Sequence, residues 1–138
     1  MVRFTGSILV ADAPANIEAI PAPFIAIPEK ERHITLLSSE LSPAVRKELK
    51  ASWGSNTLPP FPEVTYGYGP YIADNGNKCS IACDVMEQDA IRAWVIEVVK
   101  ILGLDITIDP SRVYHVSVAN LTGSPFASVP DPWNHRVR

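Results

Sequence analysis

The sequence predicts an α+β fold: a single domain assembled from two related halves. Three observations carry this expectation. Short β-branched and apolar segments alternate with proline-bearing connections, and two longer segments have helical periodicity. In addition, one short pattern, His-x-Thr/Ser followed by an apolar residue, occurs twice, at His33 and at His115, each time on an extended segment. With 138 residues, 46% of them hydrophobic and 20% charged, the chain has the size and composition of one ordinary domain, residues 1–138. The halves are expected over residues 1–60 and 61–121, with a proline-rich tail over 122–138. The 13 prolines fall largely in the connections, so loops should cover much of the surface.

Taken in order, residues 4–11 and 24–27 are short apolar runs with prolines between them, which predicts strands joined by a stiff loop. In the strand predicted over residues 32–38, His33 and Thr35 share one face while Ile34 and Leu36 share the other. Ser42 before Pro43 has the chemistry of an N-cap and first turn. Ala44, Val45, Leu49 and Trp53 then recur at helical spacing until Gly54, giving a first helix. Residues 55–77 are rich in proline, glycine and tyrosine and predict loop, with strands near 63–68 and 71–73. A buried strand over 79–85 precedes a second helix. Asp84 and Glu87 have the spacing of a capping box there, and Ile91, Trp94, Val95, Val98 and Leu102 form an apolar stripe that ends near Gly103. In the strand predicted over 112–120, Val113, His115, Ser117 and Ala119 face one way, and Tyr114, Val116 and Val118 the other. Loop is expected from Thr122 onward.

Charge and cysteine usage narrow the function. A net charge of −3 argues against holding long nucleic acid, duplex included, through many phosphate contacts, while leaving room for a small anionic ligand. No run approaches the roughly 20 apolar residues that span a bilayer, and the N-terminus lacks the apolar core of a signal peptide, so a cytoplasmic protein without membrane partners is expected. Cys79 and Cys83 lie on one face of a strand, too far apart to bridge, and are expected as reduced core thiols.

The chemistry-bearing constellation is the pair of motifs, His33-Ile34-Thr35-Leu36 and His115-Val116-Ser117-Val118. If their strands are neighbours with the same face outward, two imidazoles and two hydroxyls converge on one cleft. That set suits a phosphodiester. One neutral imidazole takes a proton from the attacking oxygen, the other delivers one to the leaving oxygen, and the hydroxyls donate to the phosphoryl oxygens as charge grows there.

With these two motifs the chain resembles the 2H phosphoesterase superfamily, over about residues 4–121. The resemblance implies a bilobal, pseudo-symmetric domain with antiparallel sheet around a central cleft and helices packed outside. It also implies metal-independent cleavage of phosphodiesters without a cofactor. His33 and His115 would be acid and base in an order left open, with Thr35 and Ser117 holding the phosphate. The string over residues 114–124 is similar to small phage-encoded members of the superfamily, some of which degrade cyclic nucleotide signals of bacterial immunity. The expected function is hydrolysis of a cyclic nucleotide or cyclic oligonucleotide. The alternatives are processing of RNA ends bearing 2′,3′-cyclic phosphate or 2′,5′ linkages, and a non-catalytic nucleotide-binding sponge.

Around this centre, Tyr66, Tyr68, Tyr71 and Trp133 are the candidate substrate-binding residues, because aromatic side chains on loops suit base stacking. A metal site drawn from His33, His115, His135 and a cysteine matches no zinc-ligand spacing, so none is expected. His135 is read as a tail residue. Arg32 and Arg112 are close enough to the motifs to reach a phosphate, yet regular strand alternation turns both away from the histidine face, and Arg32 is read as a solvated charge. Asn120 and Thr122 either line the cleft or form the turn into Gly123.

Overall fold

A computed structural model describes residues 1–17 and 19–137, with Tyr68 described by its backbone alone. The strands are β1 (Val2–Phe4), β2 (Leu9–Asp12), β3 (Ile25–Ala26), β4 (His33–Leu37), β5 (Tyr66–Asp74), β6 (Cys79–Val85) and β7 (His115–Asn120). The helices are α1 (Pro43–Ser52), between β4 and β5, and α2 (Gln88–Ile101), between β6 and β7. The architecture is α+β: a curled antiparallel sheet forms a half-barrel in the order β1-β2-β4-β7-β6-β5, and β3 pairs with the far end of β7.

Local chemistry accounts for the elements. The β1–β2 turn is closed by the Ile8 N–H donating to Thr5 Oγ1 at 3.2 Å. Ser42 Oγ caps α1 by accepting from the Val45 N–H at 3.2 Å, and Pro43 occupies the first turn as expected. At the end of α2, Gly103 adopts φ +65°, and the Leu104 N–H returns to the Val99 carbonyl at 3.0 Å. The expected stripe is buried: Ile91, Trp94, Val95 and Val98 pack with Ile34, Leu36, Val116 and Val118 from the two central strands. The opposite face of those strands is left for the cleft.

Five expectations need correction. The strand expected over residues 4–11 is broken by the turn at residues 5–8 into β1 and β2. The two strands expected near 63–68 and 71–73 are one strand, β5, which continues through Pro70 because an edge strand loses no central ladder bond to the missing N–H. The capping box of Asp84 and Glu87 does not form, since Asp84 is still within β6 and Glu87 makes no side-chain cap. Gln88 ties the start of α2 to β7 instead, donating from Nε2 to the Val85 and Tyr114 carbonyls and accepting the Tyr114 N–H, each at 2.7 Å. Arg32 is not a solvated charge but buried, with 7% of its surface exposed. Its Nε donates to the Ile27 carbonyl at 2.9 Å and its Nη1 to the Ala15 carbonyl, which pins the connection between β2 and β4. The tail is more than loop, with a short 3-10 turn over Pro132–His135. Val137 beyond it donates its N–H to the Ile72 carbonyl at 2.8 Å, docking the end of the chain on β5.

Cys79 and Cys83 are free thiols, as expected, but only Cys83 belongs to the core, Cys79 being half-buried. Among the described residues, no helix is long and apolar enough to cross a membrane.

Candidate active site

β4 and β7 are neighbours at the centre of the sheet, joined through the pair Ile34 and Val116. Both residues are fully buried on the core side. Antiparallel geometry about that pair sets His33 opposite Ser117 and Thr35 opposite His115. All four are half-buried and line one cleft of about 780 Å³. The two strands begin with the same burial pattern, in which the motif residues alternate with buried neighbours. The sequence therefore brings together the four side chains that its motifs single out.

Each imidazole is held by the backbone two residues before it. His33 Nδ1 lies 3.0 Å from the Glu31 carbonyl. A carbonyl only accepts, so Nδ1 carries the proton, and in the neutral ring Nε2 is left as the basic nitrogen. His115 likewise hydrogen-bonds the backbone of Val113. Its pKa is pushed down to about 4, first by burial and then by the charges of Arg112 and His33, against the raising effects of the Val113 bond and Asp131. His115 is consequently neutral at pH 7.

Arg112 is the main addition to the site. Alternation turned it away, but β7 begins only at His115. Arg112 instead leaves a turn after Pro110, in which Asp109 Oδ1 accepts the Ser111 N–H at 2.9 Å, so no strand phase applies to it. Its guanidinium lines the cleft, forms an ion pair with Glu40, donates to the Thr35 carbonyl at 3.3 Å and lies over the Tyr114 ring, 5.7 Å from its centroid. Burial opposes ionisation of Glu40, yet the Ser38 N–H and Arg112 outweigh it and hold the carboxyl below its ordinary range. The pair is thus charged and fixed beside Thr35.

Asp84 is the second addition. It pairs with His115 in the β6–β7 register, as Asp12 pairs with His33 between β2 and β4, so each histidine has a carboxylate residue as its neighbour on the outer strand. The two acids differ in surroundings. Asp12 accepts from Arg3 Nε at 3.0 Å, whereas Asp84 is buried, lines the cleft and accepts from the Tyr71 hydroxyl at 2.6 Å. Burial raises the Asp84 pKa against the lowering effects of Tyr71 and Arg136. Burial and the Asp84 carboxylate raise that of Tyr71, keeping it a phenol donor. The pairing of these acids with the histidines could not be read from sequence, because cross-strand register has no local signature.

The candidate aromatics separate. Trp133 lines the cleft, and Arg136 lies 3.6 Å above its ring. Tyr71 meets Trp133 edge-on, with centroids 6.3 Å apart, and reaches the site through Asp84. Tyr66 is packed against the hydrophobic core, away from the cleft. The side chain of Tyr68 lies outside the described residues. Asn120 and Thr122 belong to the turn: Asn120 Oδ1 accepts the Thr122 and Gly123 N–H groups at 3.0 and 2.6 Å. His135 lies 3.4 Å from Asp131, a cleft-lining residue that also acts on His115.

The largest element missed in sequence, Trp133 apart, is the wall formed by residues 125–134, most of which line the cleft. Asn120 Nδ2 anchors this wall by donating to the Ser124 carbonyl at 2.6 Å and to Ser128 Oγ at 3.0 Å, and the Val129 N–H donates to Ser80 Oγ at 3.1 Å. Comparison of the chain with protein-family models, curated proteins and solved structures finds no match.

Proposed function

We propose that the protein is a metal-independent phosphodiesterase that opens a cyclic nucleotide or cyclic oligonucleotide by two-histidine acid/base catalysis, and that its sheet comprises two pseudo-symmetric lobes meeting at β4 and β7. The observation that carries the proposal is the Ile34–Val116 pairing, which gives His33, Thr35, His115 and Ser117 one shared face in the cleft. The resemblance of both motifs to the 2H phosphoesterases supports the same reading. The setting is the cytoplasm, and destruction of a signal of bacterial immunity is the biological role that the resemblance favours.

His115, kept neutral at pH 7 by burial and neighbouring charge, is the base. It takes the proton from the attacking water as the new oxygen–phosphorus bond forms, and protonated His33 gives its proton to the ester oxygen as the old bond breaks. Thr35, Ser117 and Arg112 donate to the phosphoryl oxygens, where negative charge accumulates. The cleft volume of about 780 Å³ lies in the upper part of the usual range for ligand sites, about 300–1,000 Å³. That volume favours a substrate larger than one nucleotide.

The test is incubation of the purified protein with cyclic mono-, di- and trinucleotides and with RNA ending in 2′,3′-cyclic phosphate, followed by chromatography of the products. Cleavage of a cyclic nucleotide that persists in EDTA and is abolished in His115→Ala is expected. Tight binding without turnover would identify a sponge, and preference for the RNA end would identify the processing enzyme.

A further inference from the structure

The cleft does not end at His33. A side pocket of about 210 Å³ opens beyond it, lined by Arg3, Thr5, Val10 and residues shared with the main cleft, among them Glu31, His33 and Phe126. Phe126 forms a wall between the two spaces. It is 71% exposed, although burial of a phenylalanine ordinarily stabilises a fold by about 1.5–3 kcal/mol.

The exposure is not that of a loose loop. The Phe126 N–H donates to Ser124 Oγ at 3.3 Å, its carbonyl accepts from Lys78 Nζ at 3.3 Å, and the Ser124 carbonyl is held by Asn120. A fixed backbone thus presents an open aromatic ring beside one catalytic histidine. Trp133, which also lines the cleft, meets Tyr71 edge-on, and Tyr71 donates to Asp84, the cross-strand neighbour of His115. Phe126 thus shares a pocket lining with His33, and Trp133 is linked to His115 through Tyr71 and Asp84.

We infer that the Phe126 side pocket is a nucleobase subsite, and that the substrate carries one base on each side of the scissile phosphate, stacked on Phe126 and Trp133 respectively. The inference rests on the phosphodiesterase reading above and deepens it. Stacking requires only the face of a base, and Glu31 on the pocket lining supplies an acceptor for an amino or imino edge without choosing among the bases. A substrate with a single base, such as adenosine 2′,3′-cyclic phosphate, fills one subsite only.

The experiment compares cyclic di-AMP, cyclic di-GMP, the mixed adenine–guanine ring and adenosine 2′,3′-cyclic phosphate, in both kcat/KM and equilibrium binding, for the wild type, Phe126→Ala and Phe126→Trp. Wild type should favour a two-base ring. Phe126→Ala should reduce that preference by about 5- to 150-fold, through KM more than kcat, with Phe126→Trp retaining it. An unchanged preference in Phe126→Ala overturns the subsite, as does failure of the wild type to bind any two-base ring. Binding of a ring without cleavage, weakened by Phe126→Ala, upholds the subsite while sinking the hydrolytic reading.

Discussion

At the scale of single residues, the two motifs are alike in sequence and unlike in electrostatics. Both rings are tethered to a carbonyl two positions back, but burial first, and then Arg112 standing beside Thr35, lowers the proton affinity of His115. His33→Ala and His115→Ala should each lower turnover by about 10²–10⁴-fold while the unfolding transition persists, because either change removes one half of the proton transfer. The acid limb of the kcat/KM profile should lie near pH 4, where His115 takes up its proton, instead of near the ordinary histidine value of about 6.5. Arg112→Gln should move that limb toward higher pH, since it removes a charge that opposes protonation. An acid limb unmoved by this substitution would count against His115 as the base. The same shift acts on stability. Between about pH 6.5 and 4 the unfolded chain binds a proton that the folded chain refuses, so stability falls as pH drops through this window. Denaturant titrations at pH 7 and pH 4 should show a smaller loss for His115→Gln than for wild type.

At the scale of elements, what was legible in the sequence was what repeats at a fixed period. Alternation along β4 and β7 and the stripe of α2 placed the histidine face and the core correctly, because both depend on neighbours two to four residues away. Asp84, the placement of Arg112 and, Trp133 apart, the 125–134 wall were illegible because register, a turn and long-range side-chain anchors position them. Arg32 belongs to this second group. Its guanidinium, carried one residue before β4 begins at His33, satisfies carbonyls from two loop segments, at Ala15 and Ile27. Arg32→Ala leaves buried carbonyls without donors and should lower unfolding stability by roughly 2–4 kcal/mol in urea titration. Arg32→Lys keeps one charge but not the forked geometry, and should recover only part of that loss. A full recovery would show that the charge alone matters.

At the scale of the whole molecule, the sheet has a narrow join where its chemistry sits. β6 pairs with β7 and β2 with β4 over several residues each, whereas β4 meets β7 through the single pair Ile34 and Val116, and β3 takes over the pairing at the far end of β7. The two halves of the candidate site are carried on opposite sides of this join, so their spacing depends on how well the paired side chains pack beneath it. Ile34 and Val116 are fully buried there against the helices. Shortening Ile34 to valine should cost about 0.5–1.5 kcal/mol, the ordinary penalty for a lost buried methylene. Activity should fall by a further factor that stability does not explain, since a small displacement of reacting groups is enough to slow chemistry by orders of magnitude. Val98→Ala, on α2 and equally buried, provides the control. It should cost at least as much stability while leaving kcat of the folded protein close to wild type. The measurement is kcat on the best substrate at a temperature where every variant is folded, set beside urea unfolding of the same preparations. If kcat falls in parallel with stability in both variants, the join has no special part in holding the two histidines together; a loss of kcat confined to Ile34→Val would show that the packing under one strand pair sets the geometry of the site.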